Sequence, residues 1–259
     1  MNAIASLFAT VFLTVGIGFA NAGELVDVSI TDRNTGESLE VYRHHGRLYV
    51  AGTPGDRYAV SLRNKSGGRV LTVISVDGVN ALNGQTAATS QSGYVLSPLQ
   101  TAEIAGWRKS MEEVAAFYFT SVADSYAGRT DRPKNVGVIG VAVYREAEPL
   151  PVPQAALSAG QGSDSGLERR MAEKASPAPS RGEVQMKKAE NRLGTGHGER
   201  ISAPTQYTEF SRASEAPAEI VTIYYNSRAN LLAQGVIPRP PRHAVPQPFP
   251  GGFVPDPRS

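Results

Sequence analysis

The chain has 259 residues, 41% of them hydrophobic and 19% charged, so it is long enough to bury a sizeable core in one or two domains. Its 26 basic and 24 acidic residues leave a formal net charge of +2, which argues against a general polyanion-binding surface and against a nucleic-acid partner. The chain has no cysteine, which excludes disulfides, thiolate metal sites, cysteine nucleophiles and a lipid-modified N-terminus.

The start of the chain has the pattern of an export signal. An apolar, uncharged run over residues 4–19 is followed by Ala20-Asn21-Ala22, a small-x-small pattern that signal peptidase recognises. We therefore expect a mature chain that starts at Gly23 and is periplasmic or secreted. Because Met1-Asn2-Ala3 has no Lys or Arg, a retained membrane anchor is the alternative, and only then do we expect membrane contact. An exported chain without cysteine is typical of the bacterial envelope.

Residues 23–146 have the pattern of short β-strands. Val26, Val28 and Ile30 alternate with polar residues, as in a strand with one buried face. A hairpin is predicted at His45-Gly46, and the β-branched run over residues 70–76 favours a central strand covered on both faces. Residues 93–98 and 102–107 are predicted to form a pair of strands joined by a turn. The block has no long helical pattern, which favours an antiparallel sandwich or barrel.

The composition changes after Glu146. Residues 147–193 are rich in Pro, Ala and Ser and poor in large apolar residues, so we expect a flexible, disordered linker. Residues 194–237 regain a β pattern, with a strand over 219–225, a weaker one over 206–212 and a short helix over 227–234. We expect this segment to dock on the first block. The proline-rich tail, residues 238–259, is predicted to be extended. The fold class is thus all-β, an antiparallel sandwich of about eight to eleven short strands with an insertion.

The run from Gly194 to Arg200 is the most suggestive short motif. Alternate glycines allow backbone amides to approach an anion, and His197 and Glu199 are candidate ligand or proton-transfer groups, with Arg200 beside them. The spacing is not that of a dinucleotide fingerprint. The simpler interpretation is a glycine-rich turn through which the chain re-enters the fold.

Two groups invite a metal interpretation. His44 and His45 are adjacent, so on a strand they point to opposite faces, and hairpin-turn histidines are the simpler account. Asp77, Asn80 and Asn83 follow a strand, but their spacing does not match a calcium loop and Asp77-Gly78 is typical of a turn. We therefore predict no metal and no other cofactor.

The serines give no sign of a nucleophile, and the single tryptophan is ambiguous. Ser97, Ser125 and Ser163 lack a glycine-flanked elbow, and Ser125 is instead predicted to cap a short helix. Trp107 is either a core anchor or, with Arg108 beside it, an exposed contact for a partner. No catalytic residue is predicted, and enzymatic activity is left open.

Several blocks carry a family resemblance. They are Arg57-Tyr58-Ala59-Val60, Ser75-Val76-Asp77-Gly78-Val79-Asn80, Gly93-Tyr94-Val95-Leu96, Gly106-Trp107-Arg108-Lys109-Ser110, Asp124-Ser125-Tyr126-Ala127, Gly137-Val138-Ile139-Gly140 and Gly194 to Arg200. On these blocks the chain resembles uncharacterised exported proteins of proteobacteria over about residues 26–237, apart from the linker. That resemblance implies an envelope address and a late block that belongs with the early one, but it implies no activity or catalytic residue.

Three functional hypotheses follow. The first is a periplasmic β-sandwich that binds another envelope protein or an envelope polymer, or supports an assembly, through sheet edges and proline segments. The second is an envelope hydrolase or small-ligand-binding protein that uses the Gly194 to Arg200 loop. The third is a membrane-tethered periplasmic domain, if the signal is retained.

Overall fold

A computed structural model describes residues 22–148 and 192–239 and shows that the chain is an all-β sandwich. The described residues form thirteen strands and few helical turns. The strands are β1 (Val26–Asp32), β2 (Val41–His44), β3 (Arg47–Gly52), β4 (Arg57–Asn64), β5 (Val70–Val76), β6 (Val79–Asn80), β7 (Tyr94–Leu96), β8 (Thr101–Ile104), β9 (Gly106–Arg108), β10 (Glu113–Ser121), β11 (Val138–Arg145), β12 (Leu193–Ser202) and β13 (Glu219–Ser227). The helices are α1 (Tyr126–Arg129), a 3₁₀ turn (Pro133–Asn135) and α2 (Arg228–Ala233).

The strands form two sheets. In the first sheet, β10 pairs with β4, β9 and β12, and β4 also pairs with β1 and β8. The second sheet has the order β2-β3-β13-β11-β5-β6, with β7 also paired to β5. All described pairs are antiparallel except β3 with β13. These two strands are far apart in the sequence, so no tight hairpin constrains their direction.

The prediction that the late block docks on the early one is confirmed. Strand β12 pairs with β10 in the first sheet, with Phe119 opposite Thr195. Strand β13 lies between β3 and β11 inside the second sheet, with Val141 opposite Val221. The late block is therefore part of both sheets.

One apolar core lies between the sheets. The alternation predicted for β1 is observed, because Val26, Val28 and Ile30 are all buried in this core. Strand β5 is covered on both faces, as predicted. Ile74 belongs to the core, and Val73 belongs to a second cluster on the outer face of the second sheet.

Two turns have the conformation that their sequences favour. His45 and Gly46 have φ values of 47° and 73°, and Asp77 and Gly78 have values of 54° and 76°. Two consecutive left-handed residues are typical of a two-residue hairpin turn, in which glycine carries no steric penalty. The predicted hairpin at His45 and the predicted turn at Asp77 are confirmed, and so is the cap at Ser125, whose Oγ accepts the Gly128 N–H at 3.0 Å.

Two predicted features are wrong. Strands β7 and β8 do not pair with each other, because the chain between them crosses from the second sheet to the first, through Leu99 with φ of 60°. Residues 206–212 form no strand but run as extended chain over the second sheet, where Phe210 packs on the outer cluster. The strands also outnumber the predicted eight to eleven, since β6, β7 and β9 have only 2, 3 and 3 residues.

The N-terminal edge of the described chain is anchored to β13. The Glu219 carboxylate accepts backbone N–H groups of Leu25 at 2.9 Å and Val26 at 3.2 Å. Ala22 is buried, and its carbonyl accepts the Val28 N–H at 2.8 Å. The predicted apolar signal run, most of the predicted linker and nearly all of the proline-rich tail lie outside the described residues.

Candidate ligand-binding cleft

A cleft of about 810 Å³ opens between residues 203–212, which follow β12 and which we call the extended segment, and the strands β7 and β9. A volume of this size falls within the range of ordinary ligand pockets, roughly 300 to 1,000 Å³. We call it the cationic cleft and define it by six lining residues, which are Tyr94, Arg108, Lys109, Tyr207, Phe210 and Arg212.

Arginine side chains hold the extended segment in place. Arg108 Nη1 donates to the Ala203 carbonyl, and the Ala203 N–H donates to the Glu112 carbonyl at 2.7 Å. Farther along, Arg69 Nη2 donates to the Glu209 carbonyl at 2.7 Å. The extended segment is thus fixed by hydrogen bonds to its backbone groups, although it contains no strand.

Arg212 lies at the C-terminal end of the extended segment. Its guanidinium lies 4.0 Å from the centroid of the Tyr144 ring, and Nη2 donates to the Gln91 carbonyl at 2.6 Å. A planar guanidinium stacked on an aromatic ring is held firmly and keeps its positive charge.

The charges of the cleft are not balanced. Arg108, Lys109 and Arg212 line it, and its lining contains no Asp or Glu. Within residues 22–148 and 192–239 none of these three cations forms an ion pair, because the ion pairs join other residues: Arg57–Glu199, Arg69–Glu146 and Arg200–Glu113. A concave surface with charge of one sign concentrates ions of the opposite sign.

Aromatic rings complete the lining. Tyr207 is 91% exposed at the rim, whereas Tyr94 is partly buried, with Arg108 5.8 Å from its ring centroid. Burial raises the pKa of Tyr94, and the neighbouring Arg108 charge opposes this rise. The phenol therefore stays protonated at neutral pH. Its Oη and Arg108 Nε are buried and have no hydrogen-bond partner of good geometry in the described chain.

The predicted site residues fall in different places. Arg108 lines the cleft, whereas Trp107 is only 2% exposed and packs edge-to-face on Phe117, so the core interpretation of Trp107 is confirmed. Glu199 pairs with Arg57 at 2.7 Å, and Arg200 pairs with Glu113 at 3.2 Å, both near solvent.

The prediction that the run from Gly194 to Arg200 forms a turn or loop is wrong, because these residues form most of β12. The glycines are present because this strand packs closely against β10. A Cβ on Gly196 would lie 2.1 Å from the Tyr118 ring, so the glycine makes room for an aromatic ring across the strand pair. The glycines therefore serve close packing.

His197 lies on β12 beside two aromatic rings. Its ring centroid is 6.2 Å from that of Trp107 and 5.4 Å from that of Tyr126. Burial lowers the pKa of His197, and the positive charges of Lys109 and Arg129 lower it further. The imidazole is thus held neutral, and no carboxylate contributes to that shift.

The metal interpretations gain no geometric support. The rings of His44 and His45 meet edge-to-face at 4.1 Å in the hairpin. In the part of the chain that the structure describes, no group of three or more His, Asp or Glu side chains is placed to hold a metal ion.

Sequence reasoning missed a buried polar network at Asp77, whose side chain is fully buried. Asp77 accepts the Gly137 N–H at 2.9 Å, the Thr195 N–H at 2.8 Å and the Tyr225 hydroxyl. Thr195 Oγ1 is 2.7 Å from the Tyr225 hydroxyl and 2.6 Å from that of Tyr58. An ionised Asp77 only accepts, so Tyr225 donates to Asp77, Thr195 to Tyr225 and Tyr58 to Thr195.

This network joins both sheets and both blocks of the sequence. Burial raises the pKa of Asp77 to about 6, although hydrogen bonds from Tyr225, Thr195 and Gly137 favour the ionised form. Burial also raises the pKa of Tyr58 and of Tyr225. Because all four side chains are enclosed, the network bears on stability and not on ligand contact. Of this network, the sequence indicated only the turn at Asp77-Gly78.

Comparison with protein-family models, characterised proteins and solved structures finds no match. The resemblance to exported proteobacterial proteins therefore stays a prediction. Among the described residues no helix is long and apolar enough to cross a membrane.

Proposed function

We propose that this protein is an exported binding module whose cationic cleft holds an anionic ligand. The observation that carries the proposal is the charge of the cleft. Three cations without ion-pair partners line a concave surface that has no acidic side chain. Each ion pair between one of these cations and a carboxylate, sulfate or phosphate of the ligand adds a charge-assisted hydrogen bond.

Binding is better supported than catalysis. The described lining of the cleft offers hydroxyl and amide groups but no His, Asp or Glu to act as a general base. A hydrolase centred on His197 and Glu199 has less support, because Glu199 is engaged by Arg57 while the His197 ring lies against Trp107 and Tyr126.

The address of the protein is part of the proposal. The apolar run and Ala20-Asn21-Ala22 favour export, and the absence of cysteine suits a bacterial envelope protein. The partner is then another envelope protein or an envelope polymer that presents anionic groups to the cleft.

Thermal unfolding with citrate as a small anionic probe tests the binding. At ten times its Kd, citrate should stabilise the protein by about 1.4 kcal/mol and raise Tm by roughly 3 to 6 °C. Neutral glycerol at the same concentration, with ionic strength matched by NaCl, should not reproduce this rise. Lys109→Ala should reduce it, because Lys109 is an exposed cation of the cleft.

The matched control is Arg63→Ala, which removes an exposed cation from β4, away from the cleft. It should leave the effect of citrate unchanged. An absent citrate effect, or an equal loss in the two variants, would overturn the proposal.

A further inference from the structure

The positive charges of the cationic cleft lie at both ends of the extended segment. Arg108 donates to the carbonyl of Ala203, where the segment begins, and Lys109 follows Arg108 in the lining. Arg212 is the last residue of the segment, and its guanidinium is stacked on the Tyr144 ring. A ligand that contacts the cations at both ends therefore follows the extended segment along the cleft.

Apolar side chains also line the cleft. Val95 and Phe210 are only partly buried, and they pack on the outer cluster that includes Leu71. Leu82 and Met111 are partly exposed in the same lining. A small hydrophilic anion leaves this apolar surface in contact with water, whereas a ligand with apolar groups between its charges removes it from water.

Two extended stretches of backbone border the cleft. Strand β7 pairs with β5 alone among the described strands, so its other edge has no strand partner there. In the extended segment, the Thr205 N–H donates to the Met111 carbonyl at 2.9 Å and the Glu209 carbonyl accepts from Arg69. Between them, the backbone N–H and carbonyl groups of residues 206–208 have no hydrogen-bond partner in the described chain. Free backbone groups on an extended stretch are those to which an added peptide strand binds.

We infer that the cationic cleft binds an extended acidic peptide, a segment of a partner protein that pairs with the extended segment as a short strand. This inference rests on the proposed function and specifies its ligand. Asp or Glu side chains of the peptide pair with Lys109 at one end and Arg212 at the other. Its apolar side chains cover Val95 and Phe210, and its backbone bonds to the free groups of residues 206–208. A sugar chain has no alternating backbone N–H and carbonyl groups to make these bonds.

Calorimetric titration of the full mature chain with a heptapeptide capped at both termini tests this inference. The peptide has one aspartate at each end, each followed inward by a serine, and valine, phenylalanine and valine at its centre. It should bind at least about ten-fold more tightly than citrate, because two net hydrogen bonds correspond to roughly that factor. The peptide carries fewer carboxylates than citrate, so charge alone does not account for such a gain.

Two N-methylated forms of the same peptide test the strand pairing. One form is methylated at the odd positions and the other at the even positions. Only alternate N–H groups of an added strand point toward its neighbour, so one form should bind about ten-fold more weakly than the parent peptide and the other should match it. Lys109→Ala should weaken binding of the parent peptide by about two- to five-fold, and Arg63→Ala should not weaken it.

The outcomes separate this inference from the proposed function. If neither citrate nor the peptide binds, the proposed function fails as well. If citrate binds but the peptide binds no more tightly, or if both methylated forms match the parent, the cleft holds anions but no peptide strand. An equal effect of Lys109→Ala and Arg63→Ala would place the peptide outside the cleft. A galacturonate oligomer with the same number of carboxylates that binds as tightly as the peptide would overturn the assignment to a peptide.

Discussion

Replacing Asp77 by Asn tests the buried network, because the substitution removes the charge and nearly preserves the size. Burial raises the pKa of Asp77 from 3.8 to about 6 in the folded protein. About two pKa units correspond to roughly 3 kcal/mol of differential stability. The side chain is fully buried, so solvent screening does not reduce this figure substantially.

The sign of the pH effect follows from the direction of the shift. Between pH 4 and pH 6 the folded protein holds a proton on Asp77 that the unfolded chain has released. The stabilising contribution of Asp77 is therefore fully present below about pH 4 and is lost as the pH rises through 6. In Asp77→Asn this dependence is absent. A constant cost of about 1 to 3 kcal/mol remains, because the amide turns an N–H group toward the Thr195 N–H and leaves that donor unpaired.

Urea unfolding followed by fluorescence of Trp107, the single tryptophan, measures both effects. We compare wild type with Asp77→Asn at several pH values from 4 to 8, so that contributions of other groups cancel. The difference in free energy of unfolding should fall by about 2 kcal/mol from pH 4 to pH 8, because the unfolded carboxyl still holds part of its proton at pH 4. A difference that is flat, or that grows with pH, would refute the reasoning.

Three further predictions concern packing and connectivity. Gly106→Ala should destabilise the protein strongly, because the new Cβ would lie 2.0 Å from a backbone oxygen of β10. Gly67→Ala is the control, because Gly67 faces open space. Equal urea midpoints for the two variants would contradict this. Val73→Ala and Ile74→Ala should each cost on the order of 1 to 4 kcal/mol in urea unfolding, and tolerance at either would mean that one face of β5 is not packed. Cleavage at a protease site engineered between residues 154 and 193 should leave two fragments that co-elute in size-exclusion chromatography, since β12 and β13 pair with strands of the first block. Fragments that separate without denaturant would show that the late block is not part of the sheets.

The fold class could be predicted because local patterns carry it. Alternation at Val26, Val28 and Ile30, the apolar run of β5 and the turn signal at His45-Gly46 each report on a few neighbouring residues. Pairing across the sandwich depends on distant residues, which explains the error at β7 and β8. A strand pattern says that residues are extended but not which sheet they join.

The candidate cleft was only partly predictable. Arg108 stood out because it follows Trp107, but Lys109, Arg212 and Tyr207 come from separate parts of the chain and meet only after folding. The alternating glycines from Gly194 to Gly198 had two interpretations in sequence. Contact with Tyr118 and Ala116 shows instead that the glycines serve close packing within a strand, and no local pattern records that contact.

A nuclear magnetic resonance titration of the ¹⁵N-labelled protein with citrate tests the central claim most directly, because it locates the anion as well as measuring its affinity. We predict shifts at Arg108, Lys109 and Arg212 that saturate together with one Kd and weaken in Lys109→Ala. Shifts scattered over exposed cations such as Arg63, with no saturation at the cleft, would contradict it.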